Sequence, residues 1–150
     1  MSPASDLREK IVGSWTLVRW TCEPADGAKT QEGYPFGEKA KGTLIYSHDG
    51  CVSAQLMRPR IHRKATCTAA GGFLEESQEE LAEITKNYLA YAGHFEVAVG
   101  ADDGQPVLRH HVEICSYPSW IGSVQERQPV FCGEMMELRT QNLFMRNVSW

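Results

Sequence analysis

The sequence has 150 residues, 42% hydrophobic and 23% charged, with a formal net charge of −4. That is enough chain for one domain, 1–150, with a core of its own, and it excludes the compositions of disordered, collagen-like or mucin-like chains. Lys and Arg are scattered, densest at Arg58, Arg60, Arg63 and Lys64 without interleaved aromatics, so nucleic acid is not an expected partner. No uncharged apolar stretch approaches the roughly 18 residues of a membrane span, and Met1 to Lys10 carries charges where an export signal needs an apolar run. A cytoplasmic protein without a membrane partner is expected.

Five cysteines, Cys22, Cys51, Cys67, Cys115 and Cys132, form an odd set without a CxxC pair. They read as free thiols in a reducing compartment rather than as a disulfide framework. His62 and Cys67 have no partner at metal-ligand spacing, so no metal is expected. The sequence also lacks a Gly-rich phosphate loop, a Gly-x-Ser-x-Gly elbow and a His-Glu-x-x-His helix. No cofactor is expected either.

In chain order, Ser5 or Asp6 caps one or two turns of helix that Gly13 ends. Ser14 to Cys22, with apolar residues on both faces, is the first strand, stopped by Pro24 and Asp26-Gly27. Gly42–Ser47 and Cys51–Met57 flank His48-Asp49-Gly50, and Asp-Gly between two β-rich runs predicts a hairpin. Arg60 to Gly72 has no period and reads as a loop or lid. Ser77 and Glu80 form a capping box, and Leu81, Ile84, Tyr88 and Tyr91 follow at spacings of three or four, which predicts a helix over 78–92 closed by Gly93. Its apolar stripe requires a surface to lie on. Strands are predicted at His94–Val99, Pro106–Ser116, Ser123–Phe131, Met135–Thr140 and Leu143–Trp150, with turns at Asp102-Asp103-Gly104, Ser116–Gly122, Gly133 and near Asn142. About eight short antiparallel strands with a short N-terminal helix and one inserted helix predict a mainly β chain, a closed barrel or a sandwich.

Several segments in order carry a resemblance: Gly13-Ser14-Trp15, Gly42 to Tyr46, Asp49-Gly50 with Ser53 to Pro59, Tyr88 to Gly93 with Phe95 and Val97, His110 to Glu113, and Pro118 to Gly122 with Gln125 and Arg127. Together the chain resembles the bacterial and fungal lipocalin-like domain family over nearly its whole length. The resemblance implies an antiparallel barrel enclosing a hydrophobic small molecule. Fungal members often accompany natural-product enzymes, which implies small-molecule chemistry more than transport. The Arg60 to Gly72 stretch departs from the family pattern, so no substrate is implied.

Strand parity gathers the polar residues. Pairing across the 116–122 corner with Glu113 near Gln125 and His111 near Arg127 puts all four on one face. The cluster is either an outward salt-bridge ladder, which hydropathy favours because Leu108, Val112 and Ile114 then fill the barrel with His110, or an inward site, which the resemblance favours. Taken inward, His111 or His110 is the acid/base, Glu113 orients it and neutralises Arg127, and Arg127 and Gln125 polarise the substrate. Tyr46, Gln55, Met57, Tyr88, Tyr91 and Trp120 are candidate ligand contacts, and Trp15 a floor plug. The expected function is a cofactor-independent isomerase, cyclase or dehydratase acting on an apolar secondary-metabolite-like intermediate. The alternative is a binding or carrier protein for such a molecule, without turnover.

Overall fold

The computed structural model describes residues 3–22, 33–59, 77–101, 103–140 and 147–150. The expected loop at 60–72, Cys67 and the turn near Asn142 lie outside the described residues. Helix α1 (Pro3–Ile11) leads into β1 (Gly13–Thr16) and β2 (Arg19–Thr21); then come β3 (Lys41–Tyr46), β4 (Cys51–Met57), α2 (Gln78–Lys86), β5 (Tyr88–Val99), β6 (Pro106–Cys115), β7 (Val124–Cys132), β8 (Met135–Arg139) and β9 (Asn147–Ser149). A single 3-10 turn, Pro118–Trp120, fills the corner between β6 and β7. No helix among the described residues is long and apolar enough to cross a membrane.

All strand pairs are antiparallel, in the order β1-β3-β4-β5-β6-β7-β8-β9-β2. The two edge strands are the halves of one segment interrupted at Leu17 and Val18. Its first half pairs with β3 (Trp15 opposite Leu44) and its second with β9 (Trp20 opposite Val148). The broken first strand therefore joins the two edges of the curled sheet, and counted once it leaves the expected eight strands. Joining the edges removes the exposed ladders that a flat sheet would present.

Alternation sorts the side chains. On β3 and β4, Leu44, Tyr46, Val52, Ala54 and Leu56 are buried while Lys41, Thr43, Ile45, Gln55 and Met57 are exposed. The hairpin between them turns where expected, with Gly50 at φ +98° and the Ser47 hydroxyl bonded to the Asp49 carboxylate. Helix α1 closes one side of the core with Leu7 and Ile11. It begins at Pro3, so Ser5 and Asp6 lie within the helix rather than capping it. Trp15 packs against the core and donates from Nε1 to the Ile11 carbonyl at 2.7 Å.

The chain departs from the expected helix at 78–92. The capping box is present, Glu80 N–H to Ser77 Oγ and Ser77 N–H to Glu80 Oε2 at 3.2 Å each. The helix nevertheless ends at Lys86, and none of its residues is buried. Tyr88 to His94 instead pair one for one with β4, from Met57 opposite Tyr88 to Cys51 opposite His94. Leu89, Tyr91 and Phe95 fit a strand's alternation, and the open edge of β4 decides in its favour, a tertiary effect that local spacing does not carry. Gly93 is therefore a strand residue. A Cβ placed on it would lie 1.8 Å from the His111 carbonyl oxygen, so only glycine permits this approach of β5 to β6.

Candidate functional site

The approach at Gly93 sets the register that builds the site. Ala92 faces Ile114 but Gly93 faces Val112, so Glu113 is an extra residue on β6. A bulge of this kind shifts the alternation by one. Val112 and Cys115 are buried while Glu113 and Ile114 both face out. Across the corner, His110 pairs with Gln125 and Leu108 with Arg127, not Glu113 with Gln125. The difference from the expected register is an odd number of residues, so the faces exchange. Gln125 and Arg127 belong with His110 inside, and His111 and Glu113 lie outside.

Inside, His110 is fully buried and both its ring nitrogens are occupied. Tyr46 Oη lies 2.8 Å from Nε2, and Tyr91 Oη 2.9 Å from Nδ1. Loss of solvation is the main force on all three groups. It lowers His110 to a pKa of about 3, helped by the charge of Arg127 and by His111. It raises Tyr46 well above the usual phenol value and Tyr91 above it, with Arg127 opposing the rise in both. All three are neutral at neutral pH. Arg127, 7% exposed, donates to the Glu126 carbonyl at 2.9 Å, lies 3.4 Å from Gln125 Oε1 and also hydrogen-bonds Tyr91. Gln125 spends its amide on Ser123 Oγ at 2.9 Å.

The interior is short of acceptors. A neutral imidazole has one N–H and one bare nitrogen, so one tyrosine donates to His110 while the other accepts from it. The accepting tyrosine keeps a hydroxyl proton with no acceptor among the described residues. Trp20 and Trp150, 4% and 5% exposed, add two buried indole N–H groups without partners among the described residues. Each unpaired buried donor costs about 1–3 kcal/mol. Two tryptophans 130 positions apart carry no sign in the sequence that they line one core.

Of the expected site residues, Tyr46, Tyr91, His110 and Arg127 converge, with Gln125 beside them. Trp120 packs against the core 6.3 Å from the Tyr91 ring. Gln55, Met57 and Tyr88 do not join them, because they occupy the outward positions of β4 and β5. His111 and Glu113 form part of an outer ladder. His111 stacks on His94 at 4.2 Å, and His94 Nδ1 meets Glu113 Oε1 at 2.6 Å. Glu96 lies 3.4 Å from His111 and 3.8 Å from Arg109, which also pairs with Glu126 at 3.1 Å. Glu113 thus pairs with His94 and not with Arg127. No group of three or more His, Cys, Asp or Glu among the described residues could hold a metal. Cys51, Cys115 and Cys132 are free thiols.

The sequence model of the lipocalin-like domain family matches residues 12–149. The chain is a lipocalin-like domain protein. A curated relative from Aspergillus oryzae, named 4'-hydroxy-3'-methoxypropiophenone carrier protein ppsC, is 41% identical over 91 residues, covering 59% of this chain and 78% of the relative. No solved structure matches the lipocalin-like protein significantly. The expectation of an isomerase, cyclase or dehydratase is overturned by the relative, which is named a carrier. The geometry gives the physical reason: the expected base His111 and its orienter Glu113 are outside, and His110 does not titrate near neutrality.

Proposed function

We propose that the protein is a non-catalytic carrier that encloses a small, mostly apolar molecule bearing oxygen acceptors, of the aryl ketone class. The observation that carries the reading is the one-sided polarity of the buried interior, where a tyrosine hydroxyl proton and two indole N–H groups have no acceptor among the described residues in an otherwise apolar core. A ketone, methoxy or phenol oxygen satisfies such donors without itself being a donor in excess. An apolar wall supplies most of the affinity and a few fixed polar groups supply orientation. The name of the Aspergillus oryzae relative supports the same class, since 4'-hydroxy-3'-methoxypropiophenone is a phenolic aryl ketone. A neutral His110 locked between two tyrosines suits holding a molecule rather than moving its protons.

The test is a titration of 4'-hydroxy-3'-methoxypropiophenone followed by tryptophan emission, beside butylbenzene as a control of similar shape without acceptors. Saturable binding is expected for the ketone and binding at least about tenfold weaker for the hydrocarbon, because the hydrocarbon leaves the buried donors unpaired. Equal affinity for the two, or no saturation with either, overturns the reading.

A further inference from the structure

Resting on the carrier reading, we propose that Arg127 is the seat of an oxyanion carried by an otherwise apolar aryl ligand, so that an acidic phenol or carboxylic acid is held there in its charged form. A guanidinium is a permanent cation in proteins. Arg127 is 7% exposed, and its partners are neutral: the Glu126 carbonyl, the Gln125 side-chain oxygen and the Tyr91 hydroxyl. No carboxylate among the described residues pairs with it. Glu126 on the same strand turns outward to Arg109, and Glu113 turns outward to His94. The titratable groups facing Arg127 from the other strands are Tyr46 of β3, Tyr91 of β5 and His110 of β6. Burial holds the two phenols protonated and the imidazole unprotonated, so none supplies a negative charge.

A buried cation without a counter-charge is costly, and the cost is relieved by an anion that arrives with the ligand. Hydrogen bonds from guanidinium to an oxyanion are short and roughly twice as strong as neutral ones. A phenol para to a carbonyl suits the seat, because its conjugate base spreads charge onto the ketone oxygen. On binding, its O–H proton passes to solvent, and the phenolate oxygen takes the guanidinium hydrogen bonds.

The experiment uses three probes: 4'-hydroxy-3'-methoxypropiophenone, its 4'-O-methyl ether, and 4-propylbenzoate. The phenolate of a para-hydroxy ketone absorbs at longer wavelength than the phenol, so the bound phenol is titrated spectroscopically. The expected result is a titration midpoint at least about one pH unit below that of the free ligand, a tenfold shift in the ionisation equilibrium. Arg127→Lys should keep the shift and Arg127→Gln should abolish it, and Arg127→Gln should weaken the phenol more than the ether, whose oxygen cannot ionise. A midpoint equal to that of the free ligand, or a shift unchanged in Arg127→Gln, overturns the oxyanion seat and leaves the carrier reading standing. If neither ketone binds, the carrier reading fails for this ligand class, and the benzoate then decides: Arg127-dependent binding sustains the seat, and no binding overturns it. Circular dichroism checks that the variants fold, and if Arg127→Gln does not, the midpoint on the native protein decides alone.

Discussion

His110 and His111 are adjacent in the chain and occupy opposite sides of one sheet. The inner histidine is fully buried, held by two tyrosine hydroxyls and kept neutral; the outer one stacks on His94 amid carboxylates and solvent. The same side chain is thus a fixed piece of a hydrogen-bonded interior on one face and a member of a screened charge ladder on the other. The difference teaches that the chemistry of a strand residue here follows the face it points to, and that the face is set by a bulge at Glu113 and a glycine at position 93.

The largest expected contrast is in stability. His110→Ala removes a buried ring and strands two tyrosine hydroxyls, so it should destabilise by about 3–5 kcal/mol, whereas His111→Ala should cost about 1 kcal/mol or less. Denaturant unfolding of the two variants checks this, and similar losses would erase the distinction between the faces.

Acid should separate the faces next. The pKa of His110 is lower when folded, about 3, than its ordinary value of 6.5. The unfolded chain therefore binds more protons between those values, so stability is fully present above pH 6.5 and is lost as pH falls toward 3. Between pH 7 and pH 4 the loss from this one group is on the order of 3 kcal/mol. His110→Gln should show a correspondingly smaller change in unfolding midpoint over that interval than the native protein. An identical pH dependence in both would mean that His110 is not held neutral by burial.

The third prediction addresses the device that separates the faces. Gly93→Ala drives a methyl group into the His111 carbonyl, and relief requires β5 and β6 to part. A loss of about 2–3 kcal/mol is expected. A variant as stable as the native chain would show that the approach is relaxed at no cost. The smallest effect belongs to the ladder: Glu113→Gln breaks a pair whose members are more than half exposed. It should change stability by under about 1 kcal/mol, and less still in high salt. Measurement of the unfolding midpoint in low and high salt tests both statements.

Much of the fold was legible because its signals are local. Asp49-Gly50 marks the hairpin, Ser77 and Glu80 the start of α2, and the Gly13-Ser14-Trp15 opening the first strand. The end of α2 was not legible, since Tyr88 and Tyr91 suit a helix stripe by spacing and a strand by alternation, and the choice lies with β4, 31 to 40 residues away. The polar cluster was legible as a set of residues but not as a site. Parity across the 116–122 corner depends on how many residues the 3-10 turn consumes, and the sequence does not display an extra residue at Glu113. Parity puts Gln125 and Arg127 on one face, and the register of β6 and β7 sets Gln125 opposite His110 rather than Glu113. The Tyr46–His110–Tyr91 arrangement joins residues 64 and 19 positions apart, a distance over which neither period nor motif carries information.

The central claim is that the inner face holds a molecule without transforming it. The most direct measurement mixes the protein with 4'-hydroxy-3'-methoxypropiophenone at equal concentrations and follows the ligand by NMR for hours, with a buffer-only sample alongside. The account predicts shifted or broadened ligand resonances that displace fully on adding excess competitor, with the recovered ligand unchanged in structure and amount. New product resonances that appear faster than in buffer, or ligand resonances unaffected by the protein, would contradict it.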